Sequence, residues 1–402
     1  MDIQRVKSEI AELDAWLAER GHKYLSINTV PEGKWLNYLR SHSSLFGMAW
    51  RQLFRISPVD FRPAFGSNEV RTDPKATILF ALAYLELTAA GDRTYAARWQ
   101  ESLRRVLELQ SGKVRHFGVR QNNTLYMKAY QASEDDVSPL LTAWAGRLFL
   151  RAFRYTGDSQ YLNYAHAVAR YFLDEHPREE RPQGIYFYYD PSISDTIFNA
   201  SGEISSYLVE YGALAGVPEA SELGQMGLRY LIANQNTDGS WFYGPTSRFR
   251  YIDNFHTAFV LNAVASAADC LYWPELNECL AKGLQYFTKS LFSETTDGLR
   301  PIHLDRRFRP FNSNLIQAVD LRDVTASVVL FLEVAKKDRQ FGSHADRLLH
   351  WALKHLRTPQ GTYCPEITLL WTNRLPYIEF QAWMLYCLAR YENSTARLLC
   401  HT

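Results

Sequence analysis

Residues 154–173, RYTGDSQYLNYAHAVARYFL, close one amphipathic pattern at Thr156-Gly157 and open a second at Asp158, and this phrase decides the fold. Glycine is the residue that ends helices in a left-handed turn, and aspartate is a strong N-cap, so the segment reads as a tight helix–helix corner. The same grammar returns in TAAGDRTYAARWQESLRRVLEL (88–109), GALAGVPEASELGQMGLRYLI (212–232), LYWPELNECLAKGLQYFT (271–288) and VAKKDRQFGSHADRLLHWAL (334–353). The copies stand roughly 60 residues apart, and a hairpin of that kind buries its apolar stripe only against neighbours.

Five corners, plus a last helix near 377–392 that can pair with N-terminal helices, predict an all-α (α/α)6 toroid of about six helical hairpins. An inner ring of helices then lies inside an outer ring; an open solenoid of the same hairpins is the alternative. The whole chain, 1–402, is read as a single toroid domain, with an N-terminal helical segment of about 1–60 packing on it. Only IYFYYD (185–190) and VRHFGVRQ (114–121) suggest short strands.

Composition narrows the function classes. The 44 basic and 43 acidic side chains nearly cancel, and no long basic run offers a footprint for nucleic acid. Arg306, Arg307 and Arg309 form the one small basic cluster, a solvated loop or a clamp for an anion. The N-terminal residues MDIQRVKSEIAELDAWLAER lack the apolar region of a signal peptide, no stretch has the length of a membrane span, and five scattered cysteines form no C-x-x-C pair. A cytoplasmic location is expected. There is no phosphate-binding glycine loop, no H-E-x-x-H and no G-x-S-x-G, so no cofactor and no metal are expected.

Connections inside hairpins are short, whereas those between hairpins (about 112–135, 177–197, 236–253, 293–318 and 359–376) are long and rich in aromatic, Asp, Asn and Gly residues. Gathered at one end of a toroid, such loops build a binding cleft. The densest segment is QNTDGSWFYGPTSRFRYIDNFHTAFVL (235–261), with Trp241 and Tyr243 as exposed aromatics and Asp253 at the entry to an inner helix. Asp253 suits an N-cap, and His256 then points to the ring mouth as a general acid or base, or as a hydrogen-bonded structural histidine.

LLWTNRLPYIEFQAWMLYCLARY (369–391) brings Asn373, Arg374, Tyr377 and Glu379 to the same mouth; Glu379 also suits the positive end of a helix dipole. YYDPSISDTIFNASGE (188–203) adds Asp195 and Asn199, QAVDLRDVTA (317–326) adds Asp320, and SEDDVSP (133–139) reads as acidic capping before Ser138-Pro139. One such helix is ordinary capping, but four around a ring suggest a polar cleft for an oligo- or polysaccharide. The candidate catalytic residues are His256 and Asp253. Candidate substrate-binding residues are Trp241, Tyr243, Asp195, Asn199, Asp320, Asn373, Arg374, Tyr377 and Glu379.

QNTDGSWFYG followed by YIDNFHTAFVL, with LLWTNRLPYIEFQAWMLYCLARY and the TGDSQYL corner, resembles the bacterial six-hairpin toroid proteins associated with polysaccharide biosynthesis, the VpsJ-like family, over roughly residues 75–392. The resemblance implies a six-hairpin glycosidase-like fold, a glycan context and, as further partners, polysaccharide-assembly proteins. The family pattern has a histidine before the inner helix where Arg322 stands here, with His303 the nearest substitute. The reading is therefore a carbohydrate-processing protein with hydrolase-, lyase- or epimerase-like acid–base chemistry; the alternative is a non-catalytic glycan- or partner-binding scaffold. Gln-x-x-Asp-Gly-Ser-Trp also resembles the glutamine–tryptophan repeats of triterpene cyclases, which makes terpenoid chemistry a third reading.

Overall fold

A computed structural model describes residues 1–26, 57, 59–60, 72–122, 125–126, 131–191, 194–307 and 317–400. Among these residues twelve α-helices form: α1 (Ile3–Glu19), α2 (Pro74–Ala89), α3 (Ala96–Leu107), α4 (Pro139–Thr156), α5 (Ser159–Asp174), α6 (Phe198–Ala215), α7 (Pro218–Ala233), α8 (Asn254–Ala268), α9 (Pro274–Ser290), α10 (Leu321–Val334), α11 (Gln340–His355) and α12 (Ile378–Cys400). The even-numbered helices pack side by side in the order α2, α4, α6, α8, α10, α12, and α12 returns to α2, so the inner ring closes. Outside it, α3, α5, α7, α9 and α11 each lie on the preceding inner helix, and α1 lies on α12. The (α/α)6 toroid is thus sealed by pairing the first helix with the last.

Sequence decides which helix goes inside. Nearly every residue of α2 from Pro74 to Thr88 is buried, as expected of a helix apolar all round, whereas α3 buries only Trp99, Ser102, Leu103 and Val106, a single stripe. The corners form as the repeated phrase requires: Gly157 ends α4 at φ +73° and the Asp158 side chain accepts from the Gln160 N–H at 2.9 Å. Because every inner helix is followed by an antiparallel outer one, all six inner helices run the same way. Their N-termini share one end of the ring, here called the mouth.

Short antiparallel ribbons decorate that end: β1 (Leu125–Tyr126) with β2 (Gln131–Ala132), β3 (Arg178–Arg181) with β4 (Gly184–Phe187), and β5 (Phe292–Thr295) with β6 (Gly298–Pro301). A three-stranded sheet joins β7 (Gln317–Asp320), β8 (Glu366–Thr368) and β9 (Thr372–Asn373). Of the two strand expectations, IYFYYD supplies β4, but 114–121 makes only isolated bridges, Gln110 with Val119 and Arg120 with Val137. Among the described residues no helix is long and apolar enough to cross a membrane.

Candidate functional site at the ring mouth

Three inner helices open with an aspartate cap: Asp73 accepts from Ala76 N–H at 2.9 Å, Asp253 from His256 N–H at 2.8 Å and Asp320 from Arg322 N–H at 2.9 Å. Each cap leaves its neighbours in the first helical turn facing the mouth. Two polar clusters result.

The first surrounds His256. Its Nδ1 lies 2.7 and 2.9 Å from the two carboxylate oxygens of Asp253, so one side chain both caps α8 and fixes the imidazole. Tyr243 packs against the imidazole with centroids 4.5 Å apart, and Phe255 does so at 5.0 Å. Burial alone would raise the Asp253 carboxyl; the His256 imidazole beside it, with His303 behind, outweighs burial and holds it below the usual carboxylate range. His256 keeps 28 % of its side-chain surface exposed while Asp253 keeps 6 %. With Nδ1 engaged, Nε2 is the nitrogen left for a ligand.

Asn199, second residue of α6, shares with His256, Asp253 and Thr257 a cavity of about 10 Å³, the size for one water. Its Oδ1 is buried and has no hydrogen-bond partner among the described residues. A buried acceptor left unmatched is destabilising by roughly 1–3 kcal/mol. An O–H of water or ligand that donates to it satisfies it.

The second cluster centres on Arg322. Its guanidinium grips Asp320 with two hydrogen bonds of 2.9 and 2.7 Å, stands 3.6 Å from Glu379, and lies over the rings of Phe255 and Phe380. Lys75 of α2 donates to Glu379 at 3.0 Å. Burial would raise the Glu379 carboxyl, but Lys75 and Arg322 outweigh it and keep the group ionised. Both carboxylates are therefore committed to cations.

His303 does not substitute for the histidine absent at 322. It is 6 % exposed and its Nδ1 sits 3.0 Å from Asp323, the second half of the capping box of α10. Burial would lower its pKa; Asp323, then Asp320 and Asp253, outweigh this and raise it to about 9. Its backbone carbonyl accepts from Asn254 N–H at 2.9 Å, so His303 buttresses α8 from behind the mouth.

Trp241 is the clearest correction. Read as an exposed aromatic, it is 2 % exposed, and its indole N–H donates to the Leu231 carbonyl at 2.9 Å. The whole Gln-x-x-Asp-Gly-Ser-Trp phrase is a clasp. Gln235 donates to Gly239 O and Cys279 O, Gly239 adopts φ +90° where a Cβ would stand 2.3 Å from Lys282 O, and Gly283 leaves room for the indole. The phrase therefore presses the turn onto α9, while Trp241 also lines the small cavity beside His256.

The remaining candidates divide by exposure. Asp195, Asn373 and Tyr377 are buried, Asn373 accepting from Leu375 N–H at 3.0 Å and Asp195 from Thr196 N–H at 2.8 Å, whereas Arg374 is exposed. Of the basic cluster, Arg307 forks onto Asp305 and reaches Asp238 at 3.0 Å, which neutralises it; Arg309 lies outside the described residues. Lys75 is the mouth residue that the sequence did not point to, and Arg322, noted only as standing where the family has a histidine, was not counted among the binding residues. The aspartate two residues before each, Asp320 and Asp73, was the available signal, since an N-cap two positions back sets their direction.

No protein-family model matches this sequence, and no curated protein is similar to it at a significant level. Solved structures do resemble it. A GH76 α-mannanase of Bacteroides thetaiotaomicron has a TM-score of 0.62 at 10% identity, covering 83% of this chain and 89% of that one. A possible member of family GH105 from Salmonella enterica gives 0.61 at 12% identity over 98% and 94%, and a cellobiose 2-epimerase of Spirochaeta thermophila gives 0.54 at 12% over 80% and 86%. At these identities the likeness establishes the six-hairpin toroid fold and leaves the reaction to the residues of the mouth.

Proposed function

We propose that this chain is a carbohydrate-processing protein of polysaccharide biosynthesis or modification, with the ring mouth as its site. The observation that carries the reading is the Asp253–His256 pair: an oriented, partly exposed imidazole set beside the unmatched oxygen of Asn199. His256 acts as the acid or base, Asp253 orients it, and Asn199 and Tyr243 bound the space in which a sugar hydroxyl sits. The fold's neighbours, named for mannan, glucuronyl and cellobiose substrates, support a glycan ligand.

Within that class, the commitment of Asp320 and Glu379 to Arg322 and Lys75 supports one chemistry over the other. Two-carboxylate glycoside hydrolysis needs one carboxyl kept protonated, and cations at 2.7 and 3.0 Å do the opposite. Proton transfer by one imidazole, the lyase- or epimerase-like reading, fits better. The test is incubation with neutral and uronic oligosaccharides followed by NMR and mass spectrometry. Isomerisation or elimination supports the reading; hydrolysis through a carboxylate pair, or binding with no product, replaces it with the hydrolase or the scaffold.

A further inference from the structure

The ring is not filled to its axis. One helical turn below the mouth, Trp144, Phe259 and Trp383 form an aromatic layer: Trp144 stacks on Phe259 with centroids 5.4 Å apart and planes at 12°, and Trp383 stands edge-on to them at 5.4 and 5.6 Å. Phe255 closes the layer from above at 4.8 Å from Phe259 and 5.9 Å from Trp383. Beneath it lies a cavity of about 50 Å³ walled by these rings with Glu203, Arg151, Asn262 and Tyr386. At roughly 10–15 Å³ per water this is room for about three to five waters, the bulk of a three-carbon polyol.

Three observations make the cavity a site rather than a packing defect. Glu203 is 1 % exposed and lines the cavity; Arg147 donates to its Oε2 at 2.5 Å and the Trp144 indole N–H also points to this carboxyl, while its buried Oε1 accepts no well-formed hydrogen bond among the described residues. Burial outweighs Arg147 and raises the Glu203 carboxyl. Second, the Arg151 side chain is 28 % exposed and Asn262 is half-buried, although both line the interior of the ring. Solvent therefore reaches part of the cavity wall.

Third, the cations are matched. Arg147 is paired with Glu203 and Glu210, and Arg151 with Glu86, so neither guanidinium is left for an anionic ligand. The Tyr386 hydroxyl accepts from Arg151 at 2.8 Å and keeps its own proton to donate. Aromatic faces with a few inward hydroxyl, amide and carboxyl groups are what a neutral polyhydroxy compound requires.

We infer that this axial cavity is a second binding site, separate from the mouth, for a small neutral polyol of glycerol's size. The inference stands whether or not the mouth is catalytic. Its test is NMR on the full chain, following the indole N–H signals of Trp144 and Trp383 during titration with glycerol and, separately, with glucose. Saturable shifts are expected with glycerol and not with glucose, unchanged in His256→Ala and about tenfold weaker in Glu203→Leu and Asn262→Leu, the loss of one buried hydrogen bond. If Glu203→Leu fails to fold because Arg147 loses its partner, Asn262→Leu carries the comparison. Indole signals that stay still with glycerol, or shifts that survive in Asn262→Leu and vanish in His256→Ala, overturn it.

Discussion

The Asp253 carboxylate makes two contacts with one residue, taking the His256 backbone N–H at 2.8 Å and its imidazole Nδ1 at 2.7 Å. Helix capping and imidazole orientation are thereby coupled, and substitution separates them. Asparagine caps helices about as well as aspartate, so Asp253→Asn is expected to change stability by no more than about 1 kcal/mol while lowering turnover or ligand affinity by at least about tenfold. Thermal unfolding alongside kinetics or titration reads both. Equal loss of stability and function would reduce Asp253 to a cap alone.

Arg322 is half-buried between two fully buried carboxylates and cannot be removed cheaply. Arg322→Leu strands Asp320 and leaves Glu379 to Lys75 alone, which predicts a loss of about 3–5 kcal/mol. Urea unfolding measures it. A loss below about 1 kcal/mol would show that the fork contributes little to the mouth.

Trp241 holds the clasp. Trp241→Ala removes a buried indole and its hydrogen bond to Leu231, an expected cost of about 3–5 kcal/mol read by thermal unfolding. A binding defect without destabilisation contradicts the clasp.

Stability should peak near pH 6.5, the unperturbed value for histidine. His303, raised to about 9, contributes fully below pH 6.5 and loses that contribution as pH climbs through 9. His176 and His22, lowered chiefly by burial to about 3 and about 4, contribute fully above pH 6.5 and lose it as pH falls through those values. Denaturation profiles from acid to alkaline pH test this, and His303→Gln should flatten the alkaline limb. An alkaline limb identical in the variant assigns the loss to other groups.

The ring was legible because its signal is repeated. Gly157 with Asp158, and the Pro residues opening α7 and α9, each mark a corner by local chemistry that tertiary contacts do not override. Closure by α1 on α12 was legible only as a count of unpaired helices. At the mouth, Asp253 and His256 were found because a cap fixes direction three residues on. Trp241 was misread because its neighbours are polar, and its burial comes from α9, more than thirty residues downstream, where Gly283 admits it. The commitment of Glu379 to Arg322 and Lys75 was illegible for the same reason: these partners come from different hairpins, whereas Asp320 and Arg322 stand two residues apart.

The central claim is that a glycan binds at the mouth against His256. A crystal structure with a bound oligosaccharide tests it most directly. The account predicts a sugar oxygen within about 2.6–3.2 Å of His256 Nε2, with a water or hydroxyl on Asn199 Oδ1. Sugar seated away from the mouth, with His256 out of reach and Asn199 unmatched, would contradict it.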